Sequence, residues 1–248
     1  MTLTVKGRQY FIDGEQVPSV TTLIGDGLPK PGLLKWAAEA TAGYAVDHWD
    51  ELAEMSVSER LKVLNSARFA DRDAAAVRGT DVHTLAEQLV AGRKIDVPEP
   101  LRGHVDACVR FLDDWNVQPL VVERPVFSRR WRYAGRSDLF ANLNDGRRWL
   151  LDWKTNRSGP FGDAAYQLVG YKNADVYLDE RNEEQQVPEV DECAVVWLRA
   201  DGYDLVPIKT DAGVFREFLY IAQVAQAAER CREYKLPALQ RSTKEAIA

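Results

Sequence analysis

The spacing of apolar residues divides the chain into a helical first part and a strand-rich second part. Gln9–Ile12 predicts one strand of a small hairpin that turns at Asp13-Gly14 and leads out through residues 17–22. Apolar positions at helical spacing predict helices over residues 31–45, after the capping-box pattern at 56–59, around 82–90 and over 101–115. The first 115 residues are therefore expected to be mainly helical.

Beyond residue 116 the pattern changes to the two-residue alternation of strands. Three consecutive strands are predicted over residues 120–127, 133–143 and 148–155, and Asn144-Asp145-Gly146 is a strong hairpin turn between the last two. A helix follows at 163–178, then strands at 193–199 and 203–209 and a closing helix at 214–234. This order predicts an α+β fold in which a small mixed sheet is flanked by helices and preceded by an N-terminal hairpin and helical region.

A chain of 248 residues has room for one large domain or two small ones. We interpret it as a single domain, 1–248. Residues 1–115 are its N-terminal hairpin and helical region, 116–236 its core, and 237–248 a loose polar tail.

Composition excludes several classes of protein. Apolar runs are short, as at residues 194–198, whereas a membrane-spanning helix needs about 20 apolar residues. The start of the chain lacks the features of a secretion signal, so we expect a cytoplasmic protein. The cysteines, Cys108, Cys193 and Cys231, are far apart, which argues against a disulfide framework and a cysteine-only metal site.

Charge is distributed unevenly. The formal net charge is -6, yet residues 124–157 hold nine basic and three acidic residues, a local balance of +6. A locally positive surface on an acidic protein can bind a polyanion such as DNA. The alternative is an ordinary solvated face.

The candidate chemistry lies on the second and third core strands. Asp138 is on one strand, and Asp152 and Lys154 lie two positions apart on its hairpin partner, so the latter two point to one face. If the hairpin pairs around its turn, Asp138 and Asp152 converge. Two carboxylates suit Mg²⁺ or Mn²⁺, and a nearby lysine can orient a water, as phosphodiester hydrolysis requires. A plain buried Asp152–Lys154 ion pair is the alternative.

Two helices add further candidates. His83 and Glu87 share a helix face at i,i+4, and the imidazole could join a metal site, although a lone helix histidine is often structural. Gln167 and Tyr171 have the same spacing, and an amide and a phenol on one face can hold a phosphate or a water.

In this order the motifs resemble the PD-(D/E)XK nuclease superfamily, in the branch of the RecB nuclease domain, λ-type exonuclease and the CRISPR-associated RecB-like exonucleases. The resemblance implies a restriction-endonuclease-like αβββαβ core. Residues 17–22 and 34–37 resemble the corresponding part of phage-encoded single-domain exonucleases. The matching positions are His83 on the helix, Glu123 on the first core strand, Asp138 on the second, Asp152 and Lys154 on the third, and Gln167 and Tyr171 on the following helix.

The resemblance also implies roles for these residues. Asp138, Asp152 and the Trp153 carbonyl would hold Mg²⁺ or Mn²⁺, His83 would join that site or a second one, and Glu123 would be an outer or alternate ligand. Lys154 would position the attacking water, and Gln167 and Tyr171 would steady the phosphate or the lysine. DNA backbone contacts are assigned to Arg78, Arg136 and Arg157. The three scattered cysteines do not match the four that bind an iron–sulfur cluster in some relatives, so we expect none.

The expected function is that of a metal-dependent DNA exonuclease in recombination or end processing, acting in a bacterial or phage-infected cell. Its substrate would be a single-stranded or duplex DNA end, its products would carry 5′-phosphates, and a single-strand annealing protein is the partner that the resemblance implies. Two alternatives stay open: an endonuclease with the same metal site, and a non-catalytic DNA-binding protein on the same fold.

Overall fold

The computed structural model describes residues 2–156, 158–236 and 238, without the side chains of 68–78, 80 and 232. The strands are β1 (Leu3–Lys6), β2 (Gln9–Ile12), β3 (Glu15–Val17), β4 (Gln118–Ser128), β5 (Tyr133–Asn142), β6 (Arg148–Lys154), β7 (Val176–Leu178), β8 (Glu184–Gln186), β9 (Glu192–Leu198) and β10 (Tyr203–Pro207). The α-helices are α1 (Val20–Gly27), α2 (Pro31–Asp47), α3 (Trp49–Glu54), α4 (Val57–Val90), α5 (Arg102–Asp114), α6 (Ala164–Lys172) and α7 (Ala212–Arg230). Short 3₁₀ helices cover Glu99–Leu101 and Cys231–Glu233.

The strands form two sheets. One has the order β1-β2-β3, and the other has the order β10-β9-β6-β5-β4-β7-β8. In the larger sheet β6 and β9 run parallel, as expected where the chain crosses over through α6, and the other described strand pairs are antiparallel. The predicted α+β class, with a mixed sheet flanked by helices, is confirmed.

The predicted turn sets the register of the central strands. Gly146 has a φ of +78°, and its N–H donates to the carbonyl of Leu143 at 3.1 Å. The strands then pair Phe140 with Leu150 and Leu139 with Leu151. One further step of this register places Asp138 opposite Asp152, as the hairpin predicts.

Strand β4 also contributes a carboxylate opposite Asp138. Val122 pairs with Leu139 and Arg124 pairs with Ser137, so Glu123 stands opposite Asp138. Because directly opposed residues of neighbouring strands point to the same face, three carboxylates form a row across β4, β5 and β6. We call Glu123, Asp138 and Asp152 the carboxylate row.

Core clusters cover both faces of the sheet next to this row. Leu150 packs in one cluster with Leu168 of α6, and Leu151 packs in the other with Phe111 of α5. The Trp153 ring meets the Phe111 ring edge to face, with centroids 5.7 Å apart. The Asp152 carboxylate on β6, which is 1% exposed, therefore needs partners within the protein.

Helix α4 differs from the prediction. Residues 57–90 form one continuous helix, so the prediction of separate helices there is wrong. The predicted capping box is present: the Ser56 hydroxyl accepts from the Glu59 N–H at 3.3 Å, and the Glu59 carboxylate accepts from the Ser56 N–H at 3.1 Å. The helix contains no proline, and its one glycine, Gly79, costs only about 1 kcal/mol relative to alanine.

The predicted helix over 163–178 is wrong in its second half. Helix α6 ends at Lys172, and residues 176–178 form β7. Val176 pairs with Phe127 and extends the sheet beyond β4, while the Asp175 carboxylate accepts from the Arg129 N–H at 2.6 Å. Strand β8, which was not predicted, is exposed and polar, so it has no hydrophobic alternation.

The N-terminal hairpin is confirmed and gains a third strand. Helix α1 begins at Val20, where an extended lead-out was predicted, because the Ser19 hydroxyl caps it by accepting from the Thr22 N–H at 3.0 Å. The other predicted elements are confirmed to within a few residues. The predicted loose tail lies outside the described residues, apart from Ala238.

Close contact between β5 and α6 yields a prediction about stability. A Cβ added at Gly135 would lie 2.5 Å from Cε1 of Tyr171, whose side chain is only 4% exposed and cannot swing away. We expect Gly135→Ala to lower the free energy of unfolding by about 1–3 kcal/mol in urea denaturation.

The matched control is Gly43→Ala in α2, where the added Cβ has no described atom within 4 Å. It should leave stability unchanged or raise it by up to about 1 kcal/mol. Equal effects of the two substitutions would contradict the tight contact.

Candidate functional site

Helix α4 brings an imidazole to the carboxylate row. His83 Nδ1 lies 3.5 Å from Asp138 Oδ2, and ligand atoms of His83, Glu123 and Asp138 all lie within 4.8 Å of one another. One nitrogen and several carboxylate oxygens are a donor set that Mn²⁺ and Mg²⁺ accept. We call these three side chains the ligand group.

A second group lies on the other side of the row. Lys154 Nζ is 2.7 Å from Asp152 Oδ2 and donates to Gln167 Oε1 at 3.2 Å. Gln167 Nε2 donates to Asp152 Oδ1 at 2.6 Å and lies 3.5 Å from Tyr171 Oη. Only this orientation of the amide satisfies both the ammonium and the carboxylate. The predicted set of Asp152, Lys154, Gln167 and Tyr171 is therefore brought together by β6 and α6.

The backbone joins the two groups. The Trp153 N–H donates to Asp138 Oδ2 at 2.8 Å, so the strand that carries Asp152 also orients the carboxylate on its neighbour. The Trp153 carbonyl as a metal ligand stays a prediction. Asp138 and Asp152 are 7% and 1% exposed, and a charge buried this deeply needs compensation.

The buried Asp152 Oδ2 is paired with the Lys154 ammonium. The two atoms are 2.7 Å apart, and this contact contributes to the raised pKa of Lys154. Apart from it, no described group donates a hydrogen bond to this oxygen, so its remaining lone pair can accept a further positive partner.

Glu123 adopts an uncommon backbone conformation. Its φ is +50°, in the left-handed region, which costs a residue other than glycine of the order of 1–2 kcal/mol. Arg136 Nη1 donates to the Glu123 carbonyl at 2.6 Å and holds this segment of β4 against β5. No sequence pattern indicated this conformation, although it lies at the residue predicted as an alternate ligand.

The row shifts the proton affinities of its members. Burial, followed by the charges of Asp138 and Glu87, raises the pKa of Glu123 to about 8. Burial and then Asp152 raise the pKa of Asp138 to about 6, against the opposing effects of His83 and Lys154. For Lys154, burial lowers the pKa, but Asp152 and Asp138 outweigh it, so the net shift is upward.

Two cavities open on either side of His83. The ligand-side cavity is about 470 Å³ and is lined by Arg8, Glu87, Glu123, Arg136 and Asp138 among others. The lysine-side cavity is about 400 Å³ and is lined by Lys30, Lys154, Asn156, Phe161 and Gln167 among others. Both include Thr21, Gly79 and His83, so they meet at the histidine.

Sequence reasoning missed several of these lining residues. Arg8 and Lys30 lie in no chemical motif, and nothing local to them indicates the site. Phe161 left no signal either, because single apolar residues in exposed loops are common.

The predicted DNA-binding arginines have different outcomes. Arg136 lines the ligand-side cavity. Arg157 and the side chain of Arg78 lie outside the described residues.

Ion pairs in the folded protein neutralise much of the positive charge that the sequence concentrates in residues 124–157. Several arginines of the 124–157 window pair with acidic residues that are distant in sequence, so the surface presents less than the local balance of +6. These pairs are Arg124 with Glu180 at 2.5 Å, Arg129 with Glu184, Arg132 with Glu15 at 2.5 Å, and Arg147 with Glu192 at 3.4 Å.

Comparison with known proteins identifies no family. No family model and no curated protein matches the chain. The crystal structure of SSO0001 aligns with 91% of this chain and 80% of that chain, at 14% sequence identity and a TM-score of 0.32. A TM-score of that size supports no conclusion about this protein. Among the described residues, no helix combines the length and apolar character needed to cross a membrane.

The raised pKa of Glu123 makes stability depend on pH. Because the folded protein holds this proton more tightly than the unfolded chain, folded protein binds more protons between pH 4.5 and about 8. The free energy of unfolding should therefore fall as the pH rises through this window in EDTA. Glu123→Gln removes the titrating group, so its urea denaturation midpoints should decline less with pH.

Glu39→Gln is the matched control, because Glu39 is exposed on α2 and lies 3.8 Å from Lys35. It should keep the pH dependence of the unsubstituted protein. An identical slope for Glu123→Gln would show that Glu123 does not carry the raised pKa.

Proposed function

We propose that this chain is a metal-dependent DNA exonuclease that hydrolyses phosphodiester bonds from DNA ends in recombination or end processing. The observation that supports it best is the carboxylate row, with His83 on one side and Lys154 and Gln167 on the other. These groups can hold a cation, orient a water and compensate charge within a few ångströms, as phosphodiester hydrolysis requires.

The residues fit a divalent cation. The ligand group offers an imidazole and two carboxylates, and the buried Asp152 Oδ2 meets no described donor other than Lys154. Burial raises the pKa values of Glu123 and Asp138, repulsion from neighbouring carboxylates raises them further, and a cation beside the row would offset that repulsion. His83, Glu123 and Asp138 would hold Mg²⁺ or Mn²⁺, with Asp152 beside them. When bound, the cation would polarise a phosphoryl oxygen and lower the pKa of a water.

The protein's own groups supply orientation and charge. The Lys154 ammonium, held by Asp152 and Gln167, would orient the attacking water and offset charge that develops on the phosphate. Gln167 orients both Lys154 and Asp152 through its side-chain amide. Burial raises the pKa of Tyr171 well above its usual value, so its hydroxyl stays a neutral hydrogen-bonding group next to Gln167.

DNA contacts are assigned to the ligand-side cavity. Arg8 and Arg136 line it, and guanidinium groups beside a cation site suit the phosphates that flank the scissile bond. The sequence resemblance to PD-(D/E)XK exonucleases supports DNA ends as the substrate, and a single-strand annealing protein is the proposed partner.

A cleavage time course tests the function. Linear single-stranded, linear duplex and closed circular DNA are incubated with Mg²⁺, Mn²⁺ or EDTA. We expect loss of linear DNA only, with none in EDTA. Lys154→Ala should slow turnover by about 10²–10³-fold, because it removes one charge-stabilising group.

Lys62→Ala is the control, since Lys62 is exposed on α4. It should leave the rate unchanged. Cutting of closed circles would make the protein an endonuclease with the same site. DNA binding without cleavage under every condition would identify a binding protein and overturn the proposal.

Metal binding can be measured without turnover. His83→Ala and Asp138→Asn should each weaken Mn²⁺ binding by at least about 10-fold in titration calorimetry, because the first removes a ligand and the second removes the negative charge of one. His48→Ala is the control, since His48 stacks on Tyr44 with ring centroids 4.2 Å apart and is not part of the ligand group. Unchanged affinity in His83→Ala would remove His83 from the metal site.

A further inference from the structure

The lysine-side cavity lies beside the proposed reacting groups. Its lining combines the polar Lys154 and Gln167 with the apolar Ile24, Pro160 and Ala164. At about 400 Å³ it lies at the small end of ligand pockets, which span roughly 300–1,000 Å³. The size suits one nucleotide and not a base pair.

Phe161 stands at this cavity with 62% of its surface exposed. The chain segment that leads to Phe161 is held in place by hydrogen bonds. The Trp197 indole N–H donates to the Asn156 carbonyl at 2.8 Å, and the Asn156 amide donates to the carbonyl of Gly159. Gly159 has a φ of +77° and sits over the Trp197 ring, so the chain leading to Phe161 is anchored on β9.

An ion pair across the fold constrains the same segment on its other side in sequence. Lys30, at the start of α2, lies 2.9 Å from Asp163, at the start of α6. This contact joins two segments separated by 133 positions in sequence, and both residues line the cavity. The chain before and after Phe161 is therefore held by described contacts, while the aromatic ring is accessible.

We infer that the lysine-side cavity binds a single unpaired nucleotide next to the scissile phosphate, with its base stacked on Phe161. The inference rests on the proposed function and names its substrate class as single-stranded DNA. Aromatic stacking is the common device for holding unpaired bases without sequence preference. Thr155 and Asn156 line the same cavity and can meet a base edge that is free of its complement.

A duplex does not satisfy this geometry. A paired base is stacked and has its hydrogen-bonding edge occupied, so it must leave the helix before it can enter a cavity of this size. A blunt duplex end should therefore bind and react more weakly than a single strand, unless its terminal pair opens first.

The test measures binding without turnover. A single-stranded oligonucleotide carrying 2-aminopurine is titrated with the full chain in EDTA, and quenching of its fluorescence reports stacking. Phe161→Ala should raise the dissociation constant by roughly 5- to 150-fold and abolish the quenching. Phe161→Trp should retain both. Tyr220→Ala is the matched control, because Tyr220 is 58% exposed on α7 and is absent from the lining of both cavities.

The outcomes separate this inference from the proposed function. Quenching that depends on Phe161, in a protein that cleaves no DNA, would support the nucleotide cavity and overturn the nuclease proposal. Metal-dependent cleavage with unchanged affinity and quenching in Phe161→Ala would overturn the nucleotide cavity and leave the nuclease proposal standing. Equal affinity for blunt duplex and single strand would also overturn the inference.

Discussion

The structure around the site depends on three carboxylates placed side by side on neighbouring strands. Glu123, Asp138 and Asp152 stand at one level of the sheet, where like charges repel and water is largely excluded. The raised pKa values of Glu123 and Asp138 are the direct result. Such a row is stable only when the surrounding elements supply positive charge and hydrogen-bond donors. The helices next to the row carry such groups.

Those donors come from elements that pack on the sheet for ordinary hydrophobic reasons. Val82 and Ala86 bury α4 in the core, and His83 between them then faces Asp138. Leu168 buries α6 in the other core cluster, so Gln167 beside it reaches Asp152. The site is therefore positioned by apolar burial, and its polar contacts orient side chains that packing has already brought close.

Local patterns predicted the parts of the site that depend on register. The Asn144-Asp145-Gly146 turn and strand alternation were enough to bring Asp138 opposite Asp152, and helical spacing was enough to pair Gln167 with Tyr171. Features that depend on distant contacts could not be predicted. Examples are β7, which forms because the sheet offers β4 as a partner, and the pairing of Arg124 with Glu180. The same reason hides Phe161, because the cavity that it lines is built from segments that are distant in sequence.

The environment of Lys154 limits what this residue can do. Its ammonium lies between Asp152 and Gln167, and its raised pKa keeps it protonated at neutral pH. A protonated amine has no lone pair with which to abstract a proton, so in the proposed nuclease Lys154 would act through charge and orientation. Burial raises the pKa values of Asp138 and Glu123, and neighbouring carboxylates raise them further. A cation held by these groups would stabilise their charged forms, so the row that is costly to fold without a cation is also the place where a cation gains most.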